Sequence, residues 1–280
     1  MTVRLGPAPL TREVLGVPVT EGPVPEPWDA AIVEEPTLWA DADRMLFRSG
    51  EAAVFVTADS LTLDAPGAEL RATYDWLAYA TGARALLTLR RRFNLHATLV
   101  VSPAGEAVAI LGDSTAGKST TTIALVRRGW RLAADDIVEV VPGPDGLTAH
   151  PVDRPIHLSD DAARLLDADL ADGRPLRVVD KRVYRLGADL APRPLRALAV
   201  LTTHTGPGGV SVERIDPLAA VPTVAAAADR YRIGRLPEHR EAFLRWTTEV
   251  CRHSTLTHVS RPQGQDTVDQ VADAVAGVVS

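Results

Sequence analysis

Residues 112–119 read Gly-Asp-Ser-Thr-Ala-Gly-Lys-Ser, a G-x-x-x-x-G-K-S spacing in which each fixed position has a mechanical use. Glycines at its two ends let the backbone curl until successive N–H groups point at one anion, and a helix starting there turns the positive end of its dipole on the same anion. In such a loop Lys118 reaches the β and γ phosphates of a nucleotide and the Ser119 hydroxyl ligates Mg²⁺. The candidate nucleotide-binding residues are therefore Gly112, Asp113, Ser114, Thr115, Ala116, Gly117, Lys118, Ser119 and Thr120. Lysine is scarce here: of 30 basic residues only Lys118 and Lys181 are lysines, so both occupy positions where a compact ammonium stands in place of the prevailing guanidinium.

A tandem acid, Asp135-Asp136, follows the short apolar segment Leu132-Ala133-Ala134. Carboxylates at the tip of a strand beside a phosphate loop can divide the work, one holding the Mg²⁺ that bridges phosphates and the other facing the acceptor group. Adjacent strand residues point to opposite faces, so the two acids are expected to differ in role. His96 lies upstream on the alternating run Asn94 to Val101. Its spacing is compatible both with a satisfied structural histidine and with a place beside the loop.

The elements that must position these residues read as an α/β chain. The apolar strand Ala107 to Leu111 leads into the loop, a helix runs from about Gly117 to Arg128, Gly129 stops it, and a strand is expected from Arg131 to Val141. Earlier, Ala52 to Thr57 and Ser60 to Leu63 read as a hairpin, and Leu70, Tyr74 and Leu77 have helical spacing. Later come a helix at about Ser159 to Ala171, strands at Val178 to Leu186, Leu195 to Thr202 and Val210 to Ile215, and a last helix over Asp266 to Val278. The run Pro23-Val24-Pro25-Glu26-Pro27 removes backbone donors, so residues 1–30 read as an extended proline-rich arm and 31–280 as one domain. Phe243, Trp246 and Val250 share one helix face and read as core.

With 280 residues, 46% of them hydrophobic, the chain can build a sizeable core. A net charge of -6 without a basic block disfavours nucleic acid, and no apolar run is long enough to span a membrane. A cytoplasmic protein is expected. Cys251, the single cysteine, cannot form an internal disulfide, and with His253 and His258 it lacks the spacing of a zinc site.

His96-Ala97, the loop at 112–119 and the stretch Arg128-Gly129-Trp130-Arg131-Leu132-Ala133-Ala134-Asp135-Asp136-Ile137-Val138-Glu139 together resemble the catalytic domain of the HPr kinase/phosphorylase family. The resemblance covers roughly residues 85 to 141 and implies a phosphate-loop kinase domain with a mixed β-sheet and flanking helices. It further implies a kinase that moves the γ-phosphoryl group of ATP to a serine hydroxyl with Mg²⁺. In this reading Asp135 is the base toward the serine, Asp136 and Ser119 sit at Mg²⁺, and His96 lies near the phosphates. Thr120 stands where the family commonly has glutamate. The family's glycine- and arginine-containing signature and its basic substrate loop are missing between 142 and 200. The chain is thus more similar to the shorter HPr-kinase-like proteins of peptide natural-product pathways, notably the lasso peptide kinases, which phosphorylate a precursor's C-terminal serine. A peptide or small-protein partner bearing an acceptor serine and a homo-oligomer are expected.

Lys181, Arg182 and Arg185 are the candidates for meeting the acceptor. Two other functions compete with a peptide kinase. A nucleotide-binding switch or scaffold needs no second carboxylate facing an acceptor, so Asp135 argues against it. A small-molecule kinase would share every residue named so far. Because no added cation is visible near the loop, the sequence also predicts no phosphorolysis, which would seat two anions side by side.

Overall fold

The computed structural model describes residues 5–113, 116–176, 180–187, 190–228 and 230–279. Ala107–Gly112, the strand that feeds the loop, is apolar and buried at each position before its glycine, as an interior strand covered on both faces must be. It pairs antiparallel with Thr98–Val101 and parallel with Arg193–His204. Arg131–Ala134 lies beyond Thr98–Val101 at one edge. The long strand Arg193–His204 changes partners along its length, antiparallel to Gly146–Pro151 at its start and parallel to Thr255–Pro262 thereafter. Val138–Gly143 and Asn94–Leu95 continue the sheet past Gly146–Pro151, giving nine strands in a mixed arrangement.

Side-chain alternation sends the strand's residues to two cores. Ala107, Ala109 and Leu111 pack with Ala220 and Val224 of the helix Pro217–Ala228 and with Phe243, Trp246 and Val250 of Pro237–His253. Val108 and Ile110 pack on the opposite face with Leu125 of the helix Lys118–Arg127 and Val271 of Val268–Ala276. A mixed sheet flanked by helices is the fold class the sequence implied.

The loop helix ends as its sequence requires. Trp130 donates its backbone N–H to the Leu125 carbonyl at 3.1 Å and Gly129 donates to Val126 at 3.0 Å, a Schellman arrangement in which Gly129 takes φ 88°. Trp130 and Leu125 pack together in the same core, which holds the chain on course into Arg131–Ala134.

The strand expected from Arg131 to Val141 is broken. It divides into Arg131–Ala134 and Val138–Gly143, which sit at separate places in the sheet. Between them Asp136 adopts φ 69°, and Ile137 donates its N–H to the Asp135 carbonyl at 3.0 Å. The tandem acid is therefore a turn between two strands and not the end of one.

Two smaller sheets surround this layer. The first seven-stranded one is built from residues 13–64, with its apolar face packed on a helical segment. That segment runs as Ala68–Thr73, a π-helical turn Leu77–Gly82, and Ala83–Leu89. Gly82 lets Leu61 pack close at the join, since a Cβ there would stand 2.4 Å from Leu61 Cδ1 and displace that side chain. The other sheet combines Leu5–Pro7, Lys181–Leu186, Pro155–Leu158 and Arg174–Leu176. The proline-rich N-terminal residues are extended as read, yet they are not a separate arm. Leu5–Pro7 pairs with Lys181–Leu186, and Val17–Glu21 runs parallel to Leu61–Asp64.

Candidate active site

The loop helix starts at Lys118, directly after Gly117 in the left-handed region at φ 101°. Gly112 opens the loop at φ 140°, and a Cβ on it would lie 2.6 Å from the Leu201 carbonyl oxygen of the neighbouring strand. Only glycine fits both the angle and the space. The Lys118 ammonium donates to the carbonyls of Gly112 at 2.6 Å and Asp113 at 3.1 Å. Two of its three donors thus pin it across the loop, and the third is left for an anion. Burial lowers the Lys118 pKa, while Asp136, Asp135 and Asp113 act in the opposite sense and favour its charged form. Ala116, Gly117, Ser119 and Thr120 surround that helix start, with Ser119 and Thr120 exposed. Ser114 and Thr115 lie outside the described residues.

The two acids meet different surroundings. Asp135 accepts a hydrogen bond from Thr98 Oγ1 at 2.8 Å, and burial together with the neighbouring Asp136 charge raises its pKa. Burial is the largest influence on Asp136 and works against its charge, but the Arg154 guanidinium, its Nη1 3.2 Å from Oδ2, together with His96, Arg84 and His157 outweighs it and holds this carboxyl below the ordinary range. One carboxyl is made basic and the other is kept ionised, the separation expected of an acid-base group beside a cation ligand.

His96 is fixed between them and the loop. Its backbone N–H donates to the Ala227 carbonyl at 2.8 Å, and its Nδ1 lies 2.7 Å from Arg84 Nη2. The Asp136 carbonyl oxygen is 3.2 Å from the same Nδ1, but it is served by Arg84 and the closer guanidinium cannot accept, so Nδ1 is the acceptor and the ring proton sits on Nε2. The same Arg84 nitrogen donates to the Asp136 carbonyl at 2.8 Å, joining histidine and acid through one cation. Burial, then Arg84, push the His96 pKa down to about 4, which keeps the ring neutral near pH 7. His96 lines a cavity of about 540 Å³ with Gly112, Asp113, Thr202, Pro222 and Arg230.

Arg154 and His157 complete the cluster. The Arg154 side chain is 1% exposed, stands 5.5 Å over the Tyr79 ring and leaves Nη2 buried without a partner. His157 is hydrogen-bonded to the Tyr79 hydroxyl, and burial and Arg154 press its pKa down to about 3.

Residues 88–148 match the family model described as the HPr Serine kinase C-terminal domain. Over these residues the chain is HPr kinase-like. The HPr kinase/phosphorylase of Limosilactobacillus reuteri is 56% identical over 52 residues, 19% of this chain and 16% of that protein. Its counterpart in Streptococcus thermophilus is 44% identical over 71 residues, 25% of this chain and 23% of that protein. The chain thus spans less than a quarter of either relative. The Hpr(Ser) kinase/phosphatase structure from Coxiella burnetii aligns with 66% of this chain and 93% of its own at 14% identity and a TM-score of 0.32.

The HPr kinase-like segment holds His96, Thr98, Lys118, Asp135 and Asp136, and the fold brings these five within reach of one another. Its structural frame is legible too: Arg92 clasps Glu139 with Nε–Oε1 at 2.7 Å and Nη2–Oε2 at 2.6 Å. Arg84, Tyr79, Arg154 and His157 lie outside the segment, and no sequence signal marked them. In a chain whose default cation is arginine, neither Arg84 nor Arg154 stands out until the fold brings it to Asp136. Those two arginines are cations beside Asp136 that the sequence could not place.

The three acceptor candidates separate. Arg182 donates to Asp160 Oδ1 at 2.9 Å and to the Gly173 carbonyl at 3.2 Å, and Arg185 is 3.7 Å from Asp153. These contacts tie Arg182 to Asp160 and leave Arg185, largely exposed, beside Asp153 on the face of the strand that Lys181 shares. Lys181, on the same strand, has its charge felt at Lys118, Asp135 and His157. Among the described residues no helix is long and apolar enough to cross a membrane.

Proposed function

We propose that this protein is an ATP-dependent serine kinase acting on a flexible peptide, such as the C-terminal serine of a lasso peptide precursor. The observation that carries the reading is the pair of adjacent acids with opposed pKa shifts, set beside a phosphate loop within the HPr kinase-like segment. The loop N–H groups and Lys118 cradle the β and γ phosphates. Asp135, made basic by burial, takes the proton of the acceptor hydroxyl as its oxygen bonds to the γ-phosphorus and the bond to the ADP oxygen breaks. Neutral His96 can donate from Nε2 to a phosphoryl oxygen but cannot add a competing positive charge. Lys181 serves the transferring phosphate or the acceptor's carboxylate.

The residues fit Mg²⁺. Asp136 is kept ionised and Ser119 is exposed at the first helical turn, an oxygen donor set of the kind this cation takes when substrate phosphates supply the rest. The ion would neutralise charge on the phosphates.

Labelled ATP offered with serine-ended peptides, HPr and free serine tests the proposal. Label on a serine-ended peptide supports it. Nucleotide binding without transfer to any acceptor would make the protein a switch, and transfer to free serine alone would make it a small-molecule kinase.

A further inference from the structure

Beside the first turn of the loop helix, on the side opposite the His96 cavity, is a second cavity of about 170 Å³. Its walls are Gly117, Thr120 and Thr121 from the loop helix and Arg261, Gln265, Thr267, Val268 and Val271 from the end of Thr255–Pro262 and the helix after it. It is smaller than the ~300–1,000 Å³ of sites that enclose a whole ligand. It suits one flat ring system of a ligand whose remainder lies elsewhere.

One wall atom stands out. Thr267 occupies the position before Val268–Ala276 where a threonine hydroxyl would ordinarily cap the helix, yet its side chain makes no cap hydrogen bond. The residue is 6% exposed, and its Oγ1 is buried with no partner. A buried hydroxyl left unmatched is costly, so its persistence at a cavity wall points to a partner from outside the chain. Gln265 adds an exposed amide that can donate and accept, and Val268 and Val271 add apolar wall. Arg261 lies across the loop's exit. Its Nε donates to the Ala116 carbonyl at 3.2 Å, and a Cβ on Gly117 would meet that nitrogen at 3.2 Å. A guanidinium plane held so near the loop is a stacking surface for an aromatic ring.

We infer that this cavity takes the purine base of the nucleotide, with Thr267 Oγ1 and Gln265 bonding to its edge and Arg261 against its face. The inference rests on the proposed loop function, because the phosphates at the Gly117–Lys118 turn fix where the base can reach. It goes further by assigning base recognition to residues 261–271, all outside the HPr kinase-like segment. It also separates the two cavities: one for the base, and the other, at Gly112, Asp113 and His96, left on the acceptor side.

The test compares ATP with inorganic triphosphate, each with Mg²⁺, by titration calorimetry. Wild type should bind ATP more tightly than triphosphate. Thr267→Val, which keeps the volume and removes the hydroxyl, and Gln265→Ala, at an exposed position, should each weaken ATP binding ~10-fold, about one hydrogen bond, and leave triphosphate unchanged. Equal wild-type affinity for the two ligands, or loss of neither or of both ligands in the variants, would overturn the base site while leaving the loop intact. Failure of wild type to bind either ligand would instead overturn the loop reading and this inference with it.

Discussion

Lys118 and the two acids should fail in different ways when altered. Lys118→Ala should lower turnover by about 10²-fold or more with an unchanged circular dichroism spectrum, since the ammonium neutralises phosphate charge and packs little. Lys118→Arg should not restore it, because a planar fork cannot bridge the Gly112 and Asp113 carbonyls as a point charge does. Asp136→Asn should lose Mg²⁺-dependent ATP affinity, whereas Asp135→Asn should bind Mg-ATP and lose transfer. Calorimetry showing the reverse pattern would exchange the two roles. Because burial raises the Asp135 pKa, turnover should climb with pH above the usual carboxylate range, and the Asp135→Asn variant should lack that limb in a pH-rate profile.

The loop depends on two elements meeting at one glycine. Gly112→Ala would combine a φ of 140° with a Cβ only 2.6 Å from the Leu201 carbonyl oxygen, so the parallel pairing of the loop strand with Arg193–His204 would have to shift. We expect ~1–3 kcal/mol of lost stability and loss of nucleotide binding. Gly105 sits in a turn at φ 93° with open space around it. Gly105→Ala should show the strain in thermal melts but retain nucleotide affinity, a contrast that separates backbone angle from loop geometry.

At the scale of the molecule, the N-terminal strands are bound to the rest through buried charge. Asp75, fully buried, accepts from Thr11 N–H at 2.9 Å and from Arg174 Nη2 at 3.0 Å, and pairs with Arg71, which also reaches Glu21 at 2.8 Å. Asp75→Asn leaves Arg174 without its anion and Arg71 with Glu21 alone, and should cost roughly 3–5 kcal/mol, about a 10 °C fall in Tm. Stability should also fall with acid. His96 and His157 titrate near 4 and 3 when folded against an ordinary value of 6.5, so the unfolded chain binds protons first. Their contribution is complete above pH 6.5 and is lost as pH drops toward 4 and 3. Asp135, with its raised pKa, acts in the opposite direction. Melts from pH 7 to 5 should show a declining Tm, with a shallower slope in His157→Gln.

Local spacing was enough to mark the loop at 112–119, the tandem acid, the Gly129 stop and the α/β order around them, because each of these works through residues near in sequence. A phosphate loop must have its glycines and lysine within one turn, and a Schellman stop needs only its own last helical turn. The cations around Asp136 were not legible. Arg84 leaves a helix re-registered by the π-helical turn, Arg154 enters from the loop leading into the strand Pro155–Leu158, and both reach Asp136 only once the three sheets pack together. The broken strand at 135–137 and the buried Thr267 hydroxyl were equally invisible, for burial and a left-handed φ are set by neighbours far along the chain. The sequence therefore determined which ionisable groups stand beside the loop, while tertiary packing decided their charge, because desolvation and the distance to another element's guanidinium exist only in the folded molecule.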